Sequence, residues 1–498
     1  MKIKDQIIFV LAVVVCLISL TGCVNQTPPT PTATSVPATA ATTTEPVMPA
    51  ATELIASVNT EEPTPPVEVA DTQADIRYQL DVSLDYAGHT MTITQTIDYT
   101  NSTETSLSEV PLILPPIRTA DGFSLLNFQM GTGYEASTYD FQNEILWLTV
   151  SPALEAGQRL SLNLLYKLEI PESQTAFGYT DRQMLLSDWY AFIPPYLPGE
   201  GWLINQPGYV GEYLAYPLAD FTVNVRLSPP MDSLVVAASA PLQSLDGNCW
   251  RYSAQQVRNF SLAISPEYQV FSAGTDQVTI YAYLFPEHAA LGARAASIAL
   301  EAWVLYSELY GDNPRQFMSI IEADLTDGLE CDGLFYLSES YFASADETPQ
   351  NYFHLLVAHE TAHQWFYGLV PNDQAFEPWL DESLAAYSEL LYLERYYPDL
   401  VDWWWGFRVR AFGPTGAVNS IIYDFLTSRP YINAVYLRGV TFQQALRDAV
   451  GDEAYFTALK RYADSSQGDT FRDAASFFDA FHQVTDIDFT QLTAIYFK

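Results

Sequence analysis

Two histidines four residues apart, in the stretch HETAHQWF at 359–366, restrict what this chain can fold into more than any other feature. The chain holds six histidines, and three of them, His354, His359 and His363, fall close together. Thr348 followed by Pro349 predicts a helix start, an N-cap oxygen before a proline at the first helical position, and Gly368 predicts the helix end. On that helix His359 and His363 stand mid-helix, one turn apart on one face. Their imidazoles can then converge on a single ion, and Glu360 borders the same face. A catalytic zinc takes three protein ligands and keeps a fourth position for water, so one ligand is still required.

That ligand should be an acid or a third histidine. After eighteen further residues comes Glu382, inside EPWLDESLAAYSE. This segment also reads as a helix, started by Pro378 and carrying Trp379, Leu380, Leu384 and Ala385 as packing residues. Two adjacent helices can bring Glu382 to the ion. The bland alternative, a core helix with buried histidines, explains the histidine pair alone but not an acid at this distance.

HETAHQWF followed by Glu382 within WLDES resembles the zinc aminopeptidases related to aminopeptidase N and leukotriene A4 hydrolase, the gluzincin metallopeptidases. The resemblance covers roughly residues 76–498. It implies a β domain with a saddle-like sheet, then a thermolysin-like α+β, mainly helical catalytic domain. It also implies one zinc per chain held by His359, His363 and Glu382, with Glu360 as the general base that takes a proton from the attacking water. The family's oxyanion donor is the tyrosine of a Y-x-K-G segment, and Tyr436-Leu437-Arg438-Gly439 offers Tyr436 for that role, with Tyr431 a weaker choice nearby. Recognition of a substrate's α-ammonium falls in the family to the glutamate of a G-x-M-E-N strand. Glu330 stands at that place, although Asp327, Leu329 and Cys331 replace the motif's Gly, Met and Asn. Members often carry a further helical domain. With the chain ending at Lys498, most or all of it is expected to be missing.

The rest of the chain frames this site. A formal charge of −38 argues against nucleic acid, because a phosphate-binding face needs clustered Lys and Arg. Lys2 and Lys4 precede an apolar run from Ile7 to Leu20 and then LTGC, which resembles a bacterial lipobox. Residues 1–23 are therefore expected to be a lipoprotein signal peptide, with Cys23 lipidated and the protein anchored to the cell membrane outside the cytoplasm. An uncleaved anchor or a plain secretory signal is the alternative. Residues 24–75, rich in Thr, Pro and Ala, are expected to be a disordered tether reaching on the order of 40 Å. Short alternating runs predict a β domain over 76–275, and strands with longer helices predict the catalytic domain over 276–498. His354 reads as a packed or exposed helix residue, and Trp403, Trp404 and Trp405 as core or groove wall. Cys249 and Cys331 could pair, but nothing in the sequence demands it.

The expected function is peptide hydrolysis by a zinc aminopeptidase. Two alternatives stay open: an endopeptidase or other hydrolase on the same scaffold, and a surface-binding lipoprotein that has lost activity.

Overall fold

The computed structural model describes residues 74–118, 122–231, 233–464 and 471–498, and no side chain is described for 136–139. The expected signal peptide, the lipidation of Cys23 and the tether at 24–75 lie outside the described residues.

Alternation along the first strands decides the N-terminal architecture. In Ile76–Asp85, one residue in two is buried, so one face of the strand meets the core and the other meets water. This strand lies within a seven-stranded sheet. It pairs antiparallel with Thr90–Thr100 on one side and parallel with Ala219–Leu227 on the other. A four-stranded, a three-stranded and a two-stranded sheet complete the β part, and its core joins strand residues such as Leu80, Ile93 and Val223 to Trp189, Tyr190 and Phe192. The aromatic stretch DWYAFIPP is thus packing rather than open surface.

The second part is built on a five-stranded sheet. Its strands are β1 (Gln269–Gly274), β2 (Thr279–Leu284), β3 (Phe317–Ala323), β4 (Gly328–Cys331) and β5 (Leu334–Ser338). The order across the sheet is β1-β2-β3-β5-β4. β2 and β3 run parallel, which requires a crossover, and helix α1 (Gly292–Tyr310) supplies it. Sequence patterning shows β3 and β5. It does not show β4, a four-residue strand with one glycine and one acid, and β4 forms the sheet edge next to the candidate site.

Helices α2 (Tyr352–Ala362) and α3 (Trp379–Tyr396) pack beside α1. The expected bounds of α2 need correction at both ends. Its N-cap is Asn351, whose backbone is extended and whose side chain accepts from the His354 N–H, while Thr348 lies in a turn closed by Asp346. At the other end the chain tightens into i→i+3 bonds, Gln364 N–H to Thr361 and Trp365 N–H to Ala362, and then turns at Tyr367 with φ 130°. His363 is therefore the C-cap of the helix, not a mid-helix residue. It keeps αR backbone angles, which preserves the one-turn relation to His359. α3 starts after Pro378, where the sequence predicts it.

Candidate active site

Every residue of α2 from Phe353 to Ala362 is buried, and His359 among them lines a cleft. Tyr306 of α1 ties the two site helices together by donating its hydroxyl to the carbonyls of Ala358 and Ser388.

Each histidine is oriented through Nδ1. The Nδ1 of His359 lies 3.0 Å from Glu389 Oε1, and that of His363 lies 2.6 Å from Asp381 Oδ1. With Nδ1 engaged by a carboxylate, Nε2 is left as the inward nitrogen of each ring. The two Nε2 atoms stand 3.2 Å apart, and Glu382 Oε2 lies 3.5 and 3.6 Å from them. That oxygen is buried without a hydrogen-bond partner. Two facing nitrogen lone pairs and an orphaned carboxylate oxygen suit a divalent cation, which satisfies all three at once. Titration agrees. Burial pulls His359 down, but Glu382 and Glu389 outweigh it and raise the imidazole to about 9. The cradle thus draws positive charge, which a metal supplies in place of protons.

Glu389 is itself held firmly. Arg408 donates to it from Nε and Nη2, and Trp404 donates its indole N–H at 3.1 Å. Burial pushes its carboxyl up, yet Arg408 and His359 prevail and hold it at about 2. Trp404 of the tryptophan run therefore supports the site from the core, two contacts from the cradle.

Glu360 and Tyr436 reach the same cleft, a space of about 400 Å³. Glu360 is buried, and its Oε2 has no hydrogen-bond partner. Burial drives its carboxyl up to about 7 against the pull of His359 and His363. Gly328 of β4 makes room for it, since a Cβ there would meet Glu360 Oε1 at 2.1 Å. Tyr436 donates its hydroxyl to Glu382 Oε1, and its ring lies parallel to the His359 imidazole. It sits in a π-helical stretch, Ile432–Leu437. Tyr431 stands beside it, rings 5.6 Å apart, on the same cleft wall.

Glu330 comes to the site on β4. Its Oε1 accepts from Gln374 Nε2 at 2.9 Å, and the same amide nitrogen reaches Asp381 Oδ2 at 2.5 Å. Gln364, next to His363, fastens the β4–β5 turn: its oxygen accepts from Gly333 N–H and its amide donates to Cys331 O. The acid strand and the histidine turn are thus locked to each other. Cys331 is buried and unpaired, as is Cys249. His354 is buried away from the cradle, between Arg294 and Tyr392.

Sequence reasoning missed several members. Glu212, from a loop of the β part, lines the cleft with Glu330, and burial together with the charges of Glu382 and Asp381 raises it to about 8. Asp381, beside Glu382 in the sequence, orients His363. Glu389 had a local clue: it lies two turns after Glu382 on one helix, and so on nearly the same face. Arg408 had none.

Two helices present His-x3-His and a glutamate above a sheet whose edge strand carries an acid, the arrangement expected of a gluzincin zinc site. Residues 314–496 match the family model described as the peptidase family M1 domain. Over that stretch the chain is similar to M1 peptidase domains, and the cradle of His359, His363 and Glu382 suits a zinc ion. Aminopeptidase N of Lactobacillus delbrueckii subsp. lactis is 30% identical over 150 residues, 28% of this chain and 17% of that protein. Aminopeptidase M1-A of Oryza sativa subsp. japonica is 23% identical over 206 residues, 38% of this chain and 23% of its own. The chain thus matches less than a quarter of the length of either curated relative. Among solved structures, the M1 zinc metallopeptidase of Deinococcus radiodurans aligns with a TM-score of 0.59 at 18% identity, covering 86% of this chain and 95% of that one. A two-domain M1 zinc metallopeptidase aligns with a TM-score of 0.59 at 17% identity, covering 85% and 94%. These likenesses establish the two-part fold, a sheet-rich domain followed by a mainly helical one.

Proposed function

We propose that this chain is a zinc-dependent aminopeptidase that removes N-terminal residues from peptides. The observation that carries the reading is the pair of acids, Glu330 and Glu212, lining the cleft beside the histidine cradle. Both are pushed upward, Glu330 well above its usual range, first by burial and then by other carboxylates. Carboxylates crowded in this way gain from a cation, and a peptide's free α-ammonium is such a cation.

His359 Nε2, His363 Nε2 and Glu382 would hold the zinc, which when bound polarises the scissile carbonyl and makes water acidic enough to attack near neutral pH. Glu360 takes the proton of the attacking water and returns it to the leaving amine. The Tyr436 hydroxyl donates to the oxygen that gains charge as the carbonyl becomes tetrahedral. Glu330 and Glu212 hold the α-ammonium, which places the first peptide bond, not a later one, beside Glu360.

A charge-assisted contact of this kind is worth about 1.5–3 kcal/mol, or roughly 10- to 150-fold in kcat/KM. Glu330→Ala should lower cleavage of free-amine substrates by that factor and leave zinc content unchanged. N-acetylated substrates should be poor for the wild type. Internal cutting of blocked peptides at the free-peptide rate would instead establish an endopeptidase.

The reading includes a lipid anchor at Cys23 that holds the enzyme outside the cytoplasm. Its support is the sequence: Lys2 and Lys4, the apolar run and LTGC. Among the described residues no helix is long and apolar enough to cross a membrane. Cys23→Ser should move the protein out of the membrane fraction in cell fractionation. A variant still processed and sedimenting with membranes contradicts the anchor.

A further inference from the structure

We propose that Asp327 selects peptides whose second residue, the one following the scissile bond, is Lys or Arg. The proposal rests on the aminopeptidase reading and adds a specificity-determining residue to it.

The register of the edge strand sets the path of a substrate. Ser338 N–H donates to Asp327 O, so 327 and 338 form a hydrogen-bonded pair of the β4–β5 ladder. Pairs in an antiparallel ladder alternate, so Leu329 and Cys331 also bond toward β5, whereas the backbone groups of Gly328 and Glu330 point to the open edge. Gly328 and Glu330 face the same side, the first against Glu360 and the second against Gln374. A peptide held by its ammonium at Glu330, with its first bond at Glu360, therefore runs back along β4. Its next residue passes Gly328 and comes to Asp327, each strand step covering about 3.3 Å.

That end of the cleft has the chemistry of a long cationic side chain. Tyr341, Tyr352 and Leu356 make an apolar wall, with Tyr352 and Leu356 one turn apart on α2, on the side of the helix that carries His359. Asp327 lies exposed in the same wall. Its two side-chain hydrogen bonds, from Tyr341 Oη at 2.8 Å and Gly328 N–H at 3.1 Å, both fall on Oδ1. Oδ2 is left for a ligand. Lys and Arg combine an apolar stem with a charged tip, and the wall offers a partner to each part. Arg408 also lines this end and acts on Asp327, but its Nε and Nη2 donate to Glu389, which offsets part of its charge.

The test uses tripeptide amides with one common first residue and Lys, Gln or Glu in second place, compared by kcat/KM for release of the first residue. An exposed acid paired with a cation gives up to about fivefold, so the wild type should prefer Lys over Gln by about that factor and take Glu least readily. Asp327→Asn, which keeps an oxygen for the Tyr341 hydroxyl, should bring the Lys-to-Gln ratio close to one. Asp327→Lys should reverse the order and favour Glu. Because the ratios compare substrates within one variant, any general loss of activity cancels. An unchanged Lys-to-Gln ratio in Asp327→Asn overturns the proposal while leaving the aminopeptidase standing. Failure of the wild type to release the first residue of any of these peptides, or internal cleavage in its place, overturns both.

Discussion

Glu360→Gln should retain one zinc per chain and lower kcat by a hundredfold or more. The side chain borders the cradle without belonging to it: the group placed to hold the metal is His359, His363 and Glu382. Its Oε2 is buried without a partner, and Gly328 leaves its other oxygen room on the β4 side. Glutamine fits that space with the same shape, so no packing is lost, but its amide cannot accept a proton at any working pH. General acid–base catalysis contributes about 10²–10⁴-fold, which sets the size of the loss. Metal analysis and steady-state turnover on a free-amine substrate, measured on the same preparation, decide the matter. Turnover close to wild type excludes Glu360 as the base. Loss of zinc shows that it helps to hold the metal.

The part of this site legible in the sequence is the part that helix periodicity carries. Spacing of four residues places His359 and His363 on one face wherever a helix forms, and that relation survives although α2 ends one residue before His363. Two good caps compete for the helix start, Thr348-Pro349 and Asn351. Asn351 wins, since its side chain captures the His354 N–H and Thr348 is bound to Asp346. Partners that meet through tertiary packing leave no such trace. Glu212 arrives from the β part, and Arg408 reaches Glu389 across a turn of irregular helix. Strand β4 was invisible because four residues with one glycine carry little strand propensity, and its place is fixed by pairing with β5. Glu330 could be located only through the family resemblance, not through any local pattern.

Tyr436→Phe should lower kcat by about 10²–10³-fold, with KM little changed and zinc retained. Burial first, and then the charge of Glu382, keep the phenol far above its usual pKa, so it remains a donor throughout the working range. In the resting site that proton goes to Glu382 Oε1, which sets the hydroxyl beside a metal ligand and therefore beside the carbonyl to be attacked. The ring is positioned independently of the hydroxyl: it lies 6.1 Å from the His359 imidazole, tilted by 4°, and against the edge of Tyr431. Phenylalanine keeps those contacts and removes only the donor. Because the donor matters most when the carbonyl oxygen becomes an anion, its loss falls on the transition state and not on substrate binding. A kcat within a few-fold of wild type rules out Tyr436 as the oxyanion donor. A variant that loses zinc and activity together assigns the hydroxyl a different task, that of holding Glu382 for the metal.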